Sequence, residues 1–197
     1  NNTLGIAVGM ASSICSFNLE EVCRTTIALI KDKNHNIKDT LLAPDFAGGG
    51  LLIYNRENME EIYRTGRGGF KLRARYSYDK SNNCIEITEI PPTTTCEAII
   101  DRIIEKVKTG SIKEINDIRD ETDLGGLKIT IDLKRGADPE KLMKRLMKNT
   151  PLEDSFSCNF NVLIGGVPMV LGVKGLLEEW IAFRIERIRR RTYNDLN

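Results

Sequence analysis

The sequence predicts an α+β protein: an antiparallel or mixed sheet with packed helices, including a ferredoxin-like βαββαβ unit, and ending in one long helix. Three observations lead there. Residues 70–76, 84–90 and 127–133 alternate apolar and polar side chains, the period of a half-buried strand. Helical stretches over 95–109 and 139–149 separate strand-like ones, so strand-helix-strand occurs twice. That is a split βαβ pattern, and the short turn between its middle strands excludes a doubly wound sheet. Residues 174–195 then read as one helix with no stop signal before the chain ends.

The elements follow in order. Asn18 caps a helix over 19–31, with Glu20 and Glu21 in the first turn and Val22, Ile27 and Ile30 as its apolar stripe. A polar turn and a short helical piece over 37–42 lead to Pro44, which ends it. Gly48-Gly49-Gly50 precedes a short buried strand, Leu51 to Tyr54, and a helical turn or two covers 58–63. In the strand over 70–76, Phe70, Leu72, Ala74 and Tyr76 share one face; Lys71, Arg73 and Arg75 share the other. A turn over 79–83 leads into strand 84–90, and Gly110 ends the helix after it. A strand over 112–119 and a Gly125-Gly126 turn precede strand 127–133. Asp138 caps the helix at 139–149, with Pro139 first in it. A strand over 156–164 turns through Gly165-Gly166 into 167–170. The last helix carries Leu176, Leu177, Trp180, Ile181, Phe183, Ile185 and Ile188.

A chain of 197 residues with 41% hydrophobic content buries a sizeable core in one or two domains. Net charge is +1, so contact with nucleic acid must come from local clusters of charge. Apolar runs are too short to span a bilayer. Five cysteines without a Cys-x-x-Cys pair, and a single histidine, His35, give no zinc spacing. They read as free thiols of a cytoplasmic protein.

Four groups of residues bear on chemistry. Thr3 to Ala11 is apolar and punctuated by Gly5 and Gly9. An exposed Ile6 there can wedge between base steps, although pattern alone favours a buried entry strand. Arg64 and Arg67 in Arg64-Thr65-Gly66-Arg67-Gly68-Gly69, with Lys71, Arg73 and Arg75, put five cations in twelve residues. These suit an extended polyanion or a solvated strand face equally well, and match neither dinucleotide nor Walker glycine spacing. Arg119-Asp120-Glu121 reads as an internally paired turn rather than a metal site. Arg184, Arg187, Arg189, Arg190 and Arg191 could bind DNA or form the solvated face of a long helix. One histidine on a polar loop gives no support for nucleophilic catalysis.

Several blocks, in order, resemble the A subunits of bacterial type IIA topoisomerases, the DNA gyrase and topoisomerase IV A family. They are Gly5 to Ala11, Asn18-Leu19, Pro44-Asp45-Phe46, Tyr63 to Gly68 with Arg73-Ala74-Arg75, Thr88 to Pro91, Arg119-Asp120-Glu121, Leu133-Lys134-Arg135 and Arg190-Arg191-Thr192. Two blocks depart from it: Cys15-Ser16-Phe17-Asn18 stands where Pro-Pro-His-Asn is usual, and Pro92-Thr93-Thr94-Thr95 where Tyr-Gln-Val follows. The resemblance implies a piece that begins within a longer chain: a DNA-bending tower over 1–172 and the start of a coiled coil over 173–197. It implies Ile6 as the DNA wedge on a cut edge that is poorly ordered or packed in a non-native way. Arg64, Arg67, Lys71, Arg73 and Arg75 would lie on phosphates. No catalytic tyrosine and no metal ligand belong to this stretch. The implied partners are double-stranded DNA, a second copy of the same kind of chain in a homodimer, and a B-type ATPase/TOPRIM subunit, which holds magnesium and ATP; no membrane is implied. Two other readings stand beside this one: a stand-alone DNA-binding module, and a ferredoxin-like regulatory domain with a tight apolar-rimmed pocket for a small ligand.

Overall fold

The computed structural model describes residues 3–7 and 9–196; Val8, within the glycine-punctuated segment, lies outside them. In chain order the elements are β1 (Thr3–Ala7), β2 (Met10–Ile14), α1 (Leu19–Lys31), a 3-10 turn (Ile37–Asp39), β3 (Leu51–Ile53), α2 (Arg56–Thr65), β4 (Arg67–Arg73), β5 (Arg75–Asp79) and β6 (Cys84–Glu89). They continue with α3 (Cys96–Lys108), β7 (Ile115–Asp120), β8 (Ile129–Leu133), α4 (Pro139–Asn149), β9 (Glu153–Asn159), β10 (Asn161–Ile164), β11 (Val167–Val170) and α5 (Val173–Leu196). This is the α+β architecture with antiparallel sheets and a long last helix that the sequence predicts.

The chain forms two compact units. The first comprises Asn1–Phe46, Tyr54–Phe70 and Ser157–Asn197; the second comprises Ala47–Ile53 and Lys71–Phe156.

The second unit is built on a four-stranded antiparallel sheet of order β5-β6-β8-β7. Ile85, Ile87, Ile129 and Ile131 project from its two central strands and are fully buried. Ile99 and Ile103 of α3, and Leu142, Met143 and Leu146 of α4, complete the same core. Local chemistry sets both helices. Thr95 Oγ1 accepts from the Ala98 amide at 3.3 Å, and Asp138 Oδ1 accepts from the amides of Glu140 at 3.0 Å and Lys141 at 3.2 Å, filling donors a helix start leaves open.

The split unit β6-α3-β7 forms as expected, with β8 between its strands. Its closing strand does not. The edge beside β6 belongs to β5, whose Tyr78 faces Ile85 across the ladder, and β9 lies in a different sheet. β5 reaches β6 through a turn of four residues with Asn83 at φ 51°. Closing that short loop costs less chain entropy than returning a strand from beyond α4. The strand expected over 70–76 is likewise two strands, broken at the fully buried Ala74, whose amide donates to the Leu152 carbonyl at 2.7 Å. Tyr76 therefore does not continue the buried face and is 36% exposed.

In the first unit α1 starts where Asn18 predicts, its Oδ1 accepting from the Glu20 amide at 3.0 Å. The helix is rotated from the expected orientation. Thr25 and Leu29 are buried, whereas Ile27 and Ile30 are 52% and 62% exposed. Thr25 tolerates burial because its hydroxyl bonds Glu21 O at 2.8 Å and Thr40 Oγ1 at 2.7 Å. Thr40 Oγ1 also meets His35 Nε2 at 2.8 Å, which gives the lone histidine a structural place. The strand expected over 156–164 breaks at Phe160, which has no exposed surface. Its amide donates to Gly66 O at 2.8 Å and its carbonyl accepts from the Leu171 amide at 3.2 Å. Along α5 the apolar residues are spread around the helix; Trp180, Phe183, Ile185 and Ile188 stay about half exposed and only Val173 is buried. Among the described residues no helix is long and apolar enough to cross a membrane, and the cysteines are free thiols.

Candidate nucleic-acid interface

The N-terminal segment is an antiparallel hairpin. β1 pairs with β2 from Thr3↔Ile14 to Ala7↔Met10, with Ile6 opposite Ala11, and Gly9 has φ 91°. β1 is an edge strand, and all five of its residues are exposed. Ile6 is 87% exposed, and a side chain built at Gly5 would meet nothing within 4 Å. The buried entry strand that pattern alone favours is not what forms, and the described part of the expected cut edge is a regular strand pair.

Arg64 and Arg67 flank the end of α2 in the same unit. Gly66 caps the helix in the left-handed region at φ 71°, its amide donating to Ile62 O at 2.8 Å, the helix ending that glycine favours. Gly68, at φ 136°, leaves only 2.8 Å between a would-be Cβ and Ile62 Cγ1. The glycines thus serve a cap and close packing. Tyr63, just before them, is buried against the edge of Phe17 with ring centroids 5.9 Å apart, and burial pushes its hydroxyl pKa up. Arg64 and Arg67 are exposed and make no ion pair among the described residues.

Lys71, Arg73 and Arg75 belong to the second unit, and their charges are shared with acids. Glu153 accepts from Lys71 Nζ at 3.0 Å and from Arg73 Nε. Arg75 Nε lies 3.0 Å from Glu89 Oε1, while Glu89 Oε2 accepts from the Gly50 amide at 2.6 Å. The Glu153 side chain is 15% exposed. Hydrogen bonds from Arg73 first, then from Lys71, hold its carboxyl below the usual range. Three cations therefore face two carboxylates, and all three cations remain about half exposed. Glu153 lies 80 residues from Arg73, beyond the reach of any local sequence pattern.

Most of the remaining groups have partners within the chain. Arg119 bonds Asp117 and Glu121, each at 3.2 Å, and Asp132, an ion-pair cluster as expected, though borne on β7 rather than a turn. Asp79, Cys84 and Glu86 bring three ligand-type atoms within 4.8 Å of one another. Asp79 already accepts from Ser81 N at 2.8 Å, and Glu86 pairs with Lys128 at 2.9 Å. On α5, Arg187 lies 4.8 Å from the Phe183 ring centroid, and Arg190 pairs with Glu186 at 3.8 Å. An apolar cavity of about 160 Å³, lined among others by Cys15, Phe17, Val22, Phe160 and Leu176, lies in the first unit and not in the split βαβ unit, where the small-ligand reading expects one.

Residues 1–197 match the model of the DNA gyrase/topoisomerase IV family of A subunits. The DNA gyrase A subunit of Ureaplasma parvum is 39% identical over 202 residues, covering 100% of this chain and 24% of that protein. The chloroplastic/mitochondrial DNA gyrase A subunit of Arabidopsis thaliana is 37% identical over 97% of this chain and 21% of its own length. For the DNA gyrase A subunit of Borreliella burgdorferi the identity is 36%, over 100% of this chain and 25% of the relative. The chain spans about a quarter of the length of the curated relatives it matches.

Proposed function

Because the chain belongs to the family of DNA gyrase/topoisomerase IV A subunits, we propose that it holds and bends a DNA duplex as the tower region of such a protein. Residues 1–172 form the tower, and 173–197 begin its coiled coil. The parent enzyme cuts one duplex, passes a second through the break and reseals it, in a homodimer of A subunits joined by a B-type partner that binds ATP and magnesium. This stretch holds and bends the duplex to be cut and supplies no nucleophile.

The observation that carries the proposal is Ile6, an apolar side chain presented to solvent at 87% exposure on an edge strand beside a glycine. An isolated exposed isoleucine is ordinary on its own; in a chain of this family we read it as a DNA wedge. Inserted between two base steps, Ile6 unstacks them at a cost of about a few kcal/mol, offset by phosphate contacts that the bent duplex brings within reach. Arg64 and Arg67, with no acid of their own among the described residues, meet phosphate without first breaking an ion pair. Lys71, Arg73 and Arg75 must share theirs with Glu153 and Glu89.

Salt dependence of duplex binding tests the reading. Log K against log salt falls linearly for the wild type, and Arg64→Ala and Arg67→Ala each reduce the slope by about 0.9, the loss of one phosphate contact. A slope of zero, or one that neither substitution changes, contradicts direct contact through these arginines.

A further inference from the structure

Ile6 acts as a wedge only if the hairpin beneath it is held still. β2 meets the rest of its unit through little backbone pairing: its one register pair with β9 is Ser13↔Asn159. The fixing is by side chains. Asn159 Nδ2 and Asn161 Nδ2 both donate to the Ala11 carbonyl, at 3.0 and 3.2 Å. Ala11 is the residue directly opposite Ile6 in the hairpin. Ser13 Oγ adds a bond to Ser157 O at 2.7 Å. The Asn159 amide is also committed in an unusual way: its Oδ1 is buried with no hydrogen-bond partner among the described residues. Leaving a buried acceptor open is unfavourable for folding. Its donor half is what the fold uses.

We propose that Asn159 and Asn161 are positioning residues for DNA bending, which fix the Ile6 hairpin by clamping the carbonyl of its cross-strand partner Ala11. The inference rests on the reading of Ile6 as the wedge. A wedge on a pivoting hairpin yields instead of unstacking bases; two amides from consecutive strands on one carbonyl remove that pivot. Neither asparagine need touch DNA.

The test uses this chain with a fluorophore-labelled duplex, and two double variants: Asn159→Leu with Asn161→Leu, which keeps the branching and removes both donors, and Asn159→Asp with Asn161→Asp, which keeps shape and replaces donors with acceptors. Amide hydrogen exchange of the β1–β2 hairpin is read first. Protection there falls roughly tenfold in both variants, while protection of the remaining helices and their melting transition is unchanged. Energy transfer between the duplex ends is read second. The bend is lost to the level seen with Ile6→Ala, with duplex affinity within about twofold of wild type. Hairpin protection and bend both unchanged, with Ile6→Ala abolishing the bend, overturn the positioning role and leave the wedge standing. A bend that survives Ile6→Ala overturns the wedge, and the positioning role falls with it. Should the leucine variant fail to fold, the aspartate variant decides.

Discussion

Gly172→Ala destabilises the protein by about 3 kcal/mol, and Gly66→Ala by about 3–5 kcal/mol, measured by urea unfolding. Both glycines sit where chain segments of the first unit meet. A Cβ on Gly172 would fall well inside contact distance of the Tyr63 and Arg64 carbonyl oxygens, and 2.6 Å from the Arg64 carbonyl carbon. These are backbone atoms that cannot swing aside. A Cβ on Gly66 would lie 2.9 Å from both the Leu171 carbonyl carbon and Phe160 Cβ, and the residue also has φ 71°. Left-handed backbone adds its own penalty for any side chain. Phe160 hydrogen-bonds both segments that meet here, at Gly66 and Leu171, so its disruption spreads from the end of α2 to the start of α5. The expected readout is a lower midpoint with an unchanged m-value. A loss below about 1 kcal/mol in both variants contradicts the packing described.

Glu153→Gln moves stability and DNA binding in opposite directions. The carboxylate holds Lys71 and Arg73, and removing its charge releases both. If these cations reach phosphate, affinity for duplex rises and the salt slope steepens by about 2. The fold meanwhile loses the ion pairs. Their pH dependence follows from the depressed carboxyl. A folded pKa below the unfolded one stabilises at any pH above the ordinary value of 4.5. That contribution is lost as pH falls from there through the folded pKa. Wild-type stability therefore drops on acidification below about pH 4.5, and in Glu153→Gln the same stretch of the curve is flatter. Duplex affinity unchanged or reduced in the variant would show that Lys71 and Arg73 serve the fold alone.

Much of the fold was legible because it is fixed locally. Asn18 and the Asp138-Pro139 pair mark helix starts that the structure places within a residue. Alternation gave the buried faces of β6 and β8. Where the reading departed from the structure, distant groups decided. Ala74 ends β4 because of Leu152, and Phe160 divides β9 from β10 because of Gly66 and Leu171. Thr40 makes Thr25 a better buried residue than Ile27. The site divides the same way. Ile6 and the arginines lie in short motifs, whereas Glu153, which shares out the strand cations, and Asn159 and Asn161, which hold Ala11, lie 80 or more positions from what they touch. No periodicity signals such a pair.

An exposed isoleucine on a fixed hairpin is proposed to bend DNA. Energy transfer between the ends of a short duplex, with saturating wild-type chain or Ile6→Ala, tests it most directly. Wild type is expected to bring the ends closer, whereas Ile6→Ala binds within about twofold in affinity, since phosphate contacts dominate it, yet leaves the duplex straight. Equal bending by the two proteins contradicts a wedge role for Ile6.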